Sequence, residues 1–201
     1  VWATLGAAAH DGAIVRLGPG DTTPVTIATM EHVPCDLALD AAGVVWTSFG
    51  SGTQPYAPGE LRSLPSAGTA TTLQASLNHP CGVAVDGNTV YFTAFGTSLI
   101  NSVDGAVTMA PRLGGTPLTI ATNRHGPRFL AVTGDFVYWT DEGTSATGYT
   151  DGRVMRLARS GGAPEVLADE TRPHGIVVDR DAVYWVASND GAVRRLALEG
   201  R

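Results

Sequence analysis

Apolar positions along the chain fall in short runs separated by Gly, Pro and Asp turn residues, and the runs recur. One kind carries an aromatic anchor: "VWATLG" from Val1, "VVWTSFG" from Val44, "VYFTAFG" from Val90, "FVYWTDEG" from Phe136 and "VYWVASN" from Val183. The anchors Trp2, Trp46, Phe92, Trp139 and Trp185 are 44, 46, 47 and 46 residues apart. A second kind precedes the last four anchors, "CDLALD" from Cys35, "CGVAVD" from Cys81, "RFLAVTG" from Arg128 and "HGIVVD" from His174, and is apolar almost throughout, as a strand covered on both faces requires. A third follows each anchor: "GAIVRLG", "GELRSLP", "GAVTMAP", "GRVMRLA" and "GAVRRLA". In "GRVMRLA", Val154 and Arg156 share one face and Met155 and Leu157 the other, which predicts a half-exposed strand. A fourth, "VTIAT", "TTLQA", "LTIAT" or "EVLAD", closes the unit.

Four strands per ~45 residues predict the blade of a β-propeller rather than a helical repeat. We label the strands a (innermost), b (aromatic), c and d (outermost). The fold class is all-β, a propeller of four-stranded antiparallel blades, with repeats at about 1–34, 35–80, 81–127, 128–173 and 174–201. The first repeat opens on a b strand and the last closes after a c strand, giving about four and a half blades in a single domain incomplete at both ends. An open ring exposes sheet faces, so the expectation is a segment of a six-bladed ring, with an imperfectly closed five-bladed ring as the alternative.

From Pro173 the chain reads Pro-x-Gly-apolar-apolar-apolar-Asp, then Val-Tyr-Trp, then Gly-x-Val-x-Arg, and "YWTD" itself stands at Tyr138 to Asp141. In this it resembles bacterial β-propellers of the NHL and YWTD type (six-bladed and TolB-like), the YWTD type being familiar as the class B repeats of the low-density lipoprotein receptor. The resemblance spans essentially the whole chain and implies the fold. Such propellers serve as receptors, scaffolds, lyases and lactonases, so it implies no single function. The final Asp of the motif is replaced by Thr4, Ser48, Ala94 and Ala187 in the other repeats, and a regular inter-blade hydrogen-bond system built on it is therefore not expected. Tyr138 and Trp139 are expected to pack between blades, and Asp141 and Glu142 to start a surface loop.

An up-and-down blade reverses at every turn, so the d-to-a and b-to-c connections emerge on one face of the disc. The d-to-a segments "EHVPC", "LNHPC", "RHGPR" and "ETRPH" align on Pro34, Pro80, Pro127 and Pro173. This alignment places Cys35, Cys81, Arg128 and His174 at one equivalent position, each opening an inner strand at the mouth of the channel. His32 and His125 fall in a second column, and His79 opposite Arg172 in a third. His10 and the long b-to-c loops 48–60 and 141–152, with Tyr56 and Tyr149 ten residues beyond their Trp anchors, belong to the same face. Thiols on one side and cationic groups on the other suit an anionic or polar ligand.

Composition narrows the chemistry. The net charge is -6, charged residues make up 16%, and no basic run exceeds Arg194-Arg195, which argues against nucleic acid. No apolar stretch reaches the ~20 residues of a membrane helix. Val1 does not begin a signal peptide, and an export signal is expected to be removed or to lie outside this chain, with the protein periplasmic, secreted or lipid-anchored at a bacterial surface. Twenty-five Gly and 12 Pro suit tight turns and predict little helix.

His and Cys around one mouth are zinc donors, and "DEGTSATGYTDG" offers Asp141, Glu142 and Asp151 as calcium oxygens. No CxxC, HExxH or EF-hand spacing accompanies them, so no cofactor is expected, and the candidate ligands to weigh are His174, Cys81, Cys35, Asp141 and Asp151. Cys35 and Cys81 are one repeat apart. They form either a disulfide or two buried thiols, the second being favoured because inner strands of adjacent blades usually lie farther apart than the roughly 4.4–6.8 Å that a bridge spans. There is no GxSxG, and "GSGTQPYAPG" has no helix after it to serve a phosphate. The expected function is a non-catalytic binding or scaffolding propeller recognising a protein, peptide or glycan on its loop face. The alternative is a metal-assisted lyase or lactonase with its site at the channel mouth.

Overall fold

A computed structural model describes residues 1–6, 11–50 and 58–198. Their strands form five antiparallel sheets in chain order, each up-and-down. The first is β1 (Trp2–Thr4), β2 (Gly12–Arg16) and β3 (Val25–Glu31). The second is β4 (Pro34–Asp40), β5 (Gly43–Ser48), β6 (Gly59–Pro65) and β7 (Thr71–Leu77). The third is β8 (Pro80–Asp86), β9 (Thr89–Ala94), β10 (Gly105–Pro111) and β11 (Leu118–Arg124). The fourth is β12 (Pro127–Thr133), β13 (Phe136–Asp141), β14 (Arg153–Ala158) and β15 (Glu165–Asp169), with one 3-10 turn at Ser145–Thr147 between β13 and β14. The fifth is β16 (Pro173–Val178), β17 (Ala182–Ala187) and β18 (Ala192–Ala197). β4, β8, β12 and β16 lie side by side in a partial propeller ring, around an axial channel of about 600 Å3.

The cores lie between sheets, not within them. Ile14 packs with Val44 and Trp46; Val45 and Leu61 with Val83 and Phe92; Tyr91 and Val107 with Trp139 and Met155; Tyr138 and Val154 with Trp185. Each of these anchors thus faces the preceding sheet. Two expectations change as a result. β14 is not half-exposed: Val154 is 0% and Leu157 3% exposed, because neighbouring sheets cover both of its faces. The inner strands, expected to be the most enclosed, yield that place to the b strands. β5 is buried throughout, whereas Leu39 and Val177 on inner strands stand open.

The prolines and glycines of the repeat have a shared cause. Four of the five c strands start beside the proline of the next d-to-a connection, and a Cβ on Gly12, Gly59, Gly105 or Gly152 would come within 2.1–2.8 Å of that ring's Cδ. The inner strand opens at its proline, which has no N–H to offer a ladder. It then slips register before regular pairing resumes, between Pro80 and Val83, Pro127 and Leu130, and Pro173 and Ile176. The residue after the proline lies inside this irregularity, so its side chain is released from the strand alternation.

On the opposite face, an arginine after a c strand reaches back one sheet. Arg112 Nη2 donates to Asp40 Oδ1 (2.7 Å) and Arg159 Nη2 pairs with Asp86 Oδ2 (2.6 Å). Arg112 is 6% exposed and Asp40 34%, so Arg112→Leu frees a carboxylate that water can still reach. We expect a loss of about 1–2 kcal/mol in urea unfolding. Arg153→Leu, which breaks the far more exposed pair with Asp169, should cost under about 0.5 kcal/mol.

Candidate binding site at the channel mouth

Cys35, Cys81, Arg128 and His174 each occupy the second residue of an inner strand, β4, β8, β12 and β16. The first two are bonded to each other, with a Cα–Cα distance of 5.1 Å. This corrects the preference for free thiols: neighbouring inner strands converge at the mouth to within the span of a bridge. The closeness is visible next door, where a Cβ on Gly82 would lie 2.5 Å from the Arg128 carbonyl oxygen. Hydroxyls stitch the convergence, Thr47 donating to the Cys81 carbonyl and Thr93 to that of Arg128. Asp36 accepts the Val83 backbone N–H (3.0 Å), and its burial pushes the carboxyl above the usual range.

Asp141 and Glu142 do not start a surface loop: they are 1% and 2% exposed. Asp141 accepts the Trp139 indole N–H (2.9 Å), and two N–H groups of Arg124 converge on its other oxygen. For the anchor of the second sheet the same task falls to Glu31, which accepts from Trp46 Nε1 (2.8 Å), Ser48 (2.8 Å) and Arg62 (2.6 Å). For that of the fifth sheet it falls to Glu170, with Trp185 Nε1 (3.0 Å) and Arg194 (3.1 Å). A carboxylate with an arginine therefore caps three of the four inter-sheet anchors, although only one cap uses the motif's Asp. The fourth anchor, Phe92, has no N–H, and Leu77 stands three residues before the proline, where Glu31 and Glu170 stand in theirs.

Glu142 is the hub of the mouth. Its Oε2 accepts Arg128 Nε (2.7 Å) and its Oε1 accepts Arg172 Nε (2.9 Å), with His174 Nε2 at 3.4 Å. Burial works against its charge, but the His174 bond, the charge of Arg128 and the two arginine bonds outweigh it and hold the carboxyl down at about 2. Each guanidinium also rests on an aromatic ring, Arg128 4.8 Å from the centre of Phe95 and Arg172 4.6 Å from that of Tyr149. His174 lies beside Phe129, ring centres 6.1 Å apart.

A carboxyl depressed from 4.5 to about 2 contributes stability that is present above its ordinary value and is lost as pH falls from about 4.5 towards 2. Unfolding free energy measured at pH 7 and pH 3 should fall by on the order of 2 kcal/mol more for wild type than for Glu142→Gln, which has no charge to lose. Equal falls would show that Glu142 is not held ionised by its partners.

The other predicted residues lie on the same face. His125 Nδ1 bonds Asp151 (2.7 Å), which also accepts the Thr144 N–H (2.8 Å) and hydroxyl (3.0 Å) and the Thr147 hydroxyl. Burial opposes the charge of Asp151, yet these bonds hold its carboxyl well below the usual range. Asp104 staples the preceding loop in the same way through Thr97 (2.7 Å) and Ser102 (2.8 Å). His79 donates to the Gly96 carbonyl (2.9 Å) and packs on Phe49. His32 lines a separate cleft beside Glu31 and Glu60. His10 and Tyr56 lie outside the described residues. Of the candidate metal ligands, Cys35 and Cys81 are joined to each other and Asp141 and Asp151 serve as hydrogen-bond hubs; among the described residues no three His, Cys, Asp or Glu converge as a metal site does.

The sequence missed Arg172 and Glu142 as a pair, although Arg172 was visible one residue before its proline, opposite His79. The signal for Glu142 is the column three residues after each anchor, which reads Leu5, Phe49, Phe95, Glu142 and Ser188. The single acid in that column marks a place where one blade junction differs in chemistry.

Ring geometry and inter-sheet cores together define a β-propeller. No family model matches the sequence, and no curated protein matches it. Solved structures do share the fold. The propeller in a nidogen/laminin complex matches with a TM-score of 0.74 at 19% identity, over 93% of this chain and 68% of that one. A gluconolactonase from Xanthomonas campestris matches at 0.65 and 17%, over 83% of this chain and 59% of that one. A putative TolB from Agrobacterium tumefaciens matches at 0.57 and 18%, over 94% of this chain and 75% of that one. The chain therefore spans less than two thirds of the gluconolactonase's length.

Proposed function

We propose that the protein is an extracytoplasmic recognition propeller of the YWTD/NHL type that binds a protein, peptide or glycan on the face carrying the mouth residues and b-to-c loops. The observation that carries this is the fastening, among the described residues, of two of that face's loops to each other. Ser145 and Ala146 bind Asn101 Oδ1 (2.8 and 3.0 Å) and the Ser145 N–H reaches the Ile100 carbonyl (2.9 Å), so the loops of the third and fourth sheets are fastened to each other as well as to their blades. Loops fixed on a stiff scaffold, with partly exposed Arg128, Arg172 and His174 between them, lose little entropy on binding. The disulfide supports an oxidising compartment, and the nidogen/laminin neighbour gives the fold a precedent in a protein complex.

The test is an immobilised array of peptides and glycans probed with wild type and an Arg128→Ala, His174→Ala double variant. Ligands retained by wild type and lost by the variant support the reading; identical profiles overturn it. The metal-assisted lactonase reading draws on the gluconolactonase neighbours. Gluconolactone hydrolysis above the spontaneous rate, dependent on an added divalent cation, would favour it instead.

A further inference from the structure

Resting on that reading of the loop face, we propose that Arg128 and Arg172 form a carboxylate clamp that takes an acidic side chain of a peptide, whose apolar neighbour enters the axial channel. Both guanidiniums bind Glu142 through Nε, at 2.7 and 2.9 Å. Neither bond uses the outer edge spanned by the two Nη groups, and the side chains remain 25% and 45% exposed while Glu142 is 2% exposed. One buried anion thus orients two cations and neutralises only one, leaving a net positive mouth on a chain of net charge -6. The planar Nη edge of a guanidinium matches the two oxygens of a carboxylate. Phe95 and Tyr149 hold the planes in place, so little side-chain entropy remains to be lost when a ligand arrives. The arginines that cap the anchors are not shared in this way: Arg124 has Asp141, Arg62 has Glu31 and Arg194 has Glu170 and Asp190.

The second half of the ligand follows from what lies below the rim. The channel begins one residue beyond Arg128 and His174, and Leu37, Phe129, Ala131 and Val177 line it. Phe129 also touches His174, so rim and channel are continuous. Asp36 and Tyr184 are polar members of an otherwise largely apolar wall, and the Tyr184 hydroxyl already donates to Asp179, so the wall suits a Leu or Val side chain. A uronic sugar would bring the same carboxylate but also more hydroxyls than these few polar groups can pair.

The experiment is calorimetric titration of capped Glu-Glu-Leu-Glu-Glu, its Gln-Gln-Leu-Gln-Gln analogue, Lys-Lys-Leu-Lys-Lys and an oligogalacturonate. The acidic peptide should bind, weaken as salt rises, and lose about tenfold or more in affinity with Arg128→Gln, Arg172→Gln, whereas Arg153→Gln on the outer part of the blade should bind as wild type does. Arg128→Lys, Arg172→Lys keeps the charge opposite Glu142 while removing the fork, and should lose about fivefold or more in affinity at a temperature where the variant is still folded. Binding of the neutral or basic peptide in preference to the acidic one would overturn the clamp and leave the recognition reading standing. Arginine-dependent binding of oligogalacturonate without the acidic peptide would overturn the peptide assignment. Failure of all four to bind would also overturn the proposal, while the array described above judges recognition separately.

Discussion

Trp139→Ala is expected to lower the unfolding free energy by about 3–5 kcal/mol, the range for truncating a large buried aromatic. The side chain is 0% exposed and fills the seam between the third and fourth sheets against Tyr91, Val107, Leu130 and Met155. Truncation opens a cavity there and also withdraws the indole N–H from Asp141, itself 1% exposed. Trp139→Phe should cost less, about 1–2 kcal/mol, because the ring volume is largely kept and Arg124 still satisfies the carboxylate. Trp185→Ala should fall in the same range as Trp139→Ala. Tyr149→Ala should cost under about 1 kcal/mol, since it removes a partly exposed ring resting on Arg172 from a position of positive φ. Guanidinium denaturation of the four variants ranks them, and Tyr149→Ala proving costlier than Trp139→Ala would mean that the anchors do not hold the sheets together.

The blades could be read from the chain because a propeller repeats its chemistry as well as its geometry: Trp46, Phe92, Trp139 and Trp185 meet the same kind of neighbour, and spacing alone reveals them. The caps on those anchors were hidden for a physical reason. An indole N–H in a buried seam needs an acceptor, but nothing requires the acceptor to come from a fixed place in the sequence. Glu31 and Glu170 supply it from the end of the preceding sheet, with Arg62 and Arg194 arriving from the c strand. In the fourth sheet the charges are exchanged, Arg124 standing where Glu31 and Glu170 stand, and Asp141 providing the carboxylate. Met155 then occupies the position opposite Trp139 that Arg62 and Arg194 hold opposite theirs, and no second cation is needed. Aligning YWTD alone shows one conserved aspartate and several losses; aligning the d-to-a connections beside it shows one requirement met in two ways. The mouth was legible only in outline. Alignment on the prolines brings Cys35, Cys81, Arg128 and His174 to one rim, but the pattern of the b strand predicts a surface loop from Asp141 and Glu142, and Glu142 is 2% exposed. Here the strand's hydrogen bonding continues past Asp141, with the Glu142 N–H donating to the Gly126 carbonyl (2.9 Å), and the side chain stands between Arg128, Arg172 and His174.

Breaking the Cys35–Cys81 bond is the second large effect to expect. The two residues are 46 positions apart, and closing a loop of that length reduces the entropy of the unfolded chain by an amount worth about 4 kcal/mol at 25 °C. Replacing both with serine should therefore cost about 4–6 kcal/mol, the excess over the entropic value arising in the folded state, because Cys81 is 0% exposed and a hydroxyl there would need a partner. Cys35→Ala, Cys81→Ala separates the two contributions, since it introduces no buried hydroxyl and should lie nearer the entropic value. Reduction of the wild-type protein is expected to lower its denaturation midpoint by a similar margin and to leave the midpoint of the alanine variant unchanged. The loss should not be spread evenly over the ring. The bond ties the second sheet to the third at their inner strands, next to the Thr47 bond to the Cys81 carbonyl and the Asp36 bond to Val83. The arginine clamp lies one and two sheets further on, held by Glu142. Hydrogen exchange after reduction should thus rise first in β4 and β8, with the Arg128–Glu142–Arg172 region following only at the global unfolding limit. Simultaneous loss of protection at both places would make the bond a fastening of the whole ring rather than of one seam.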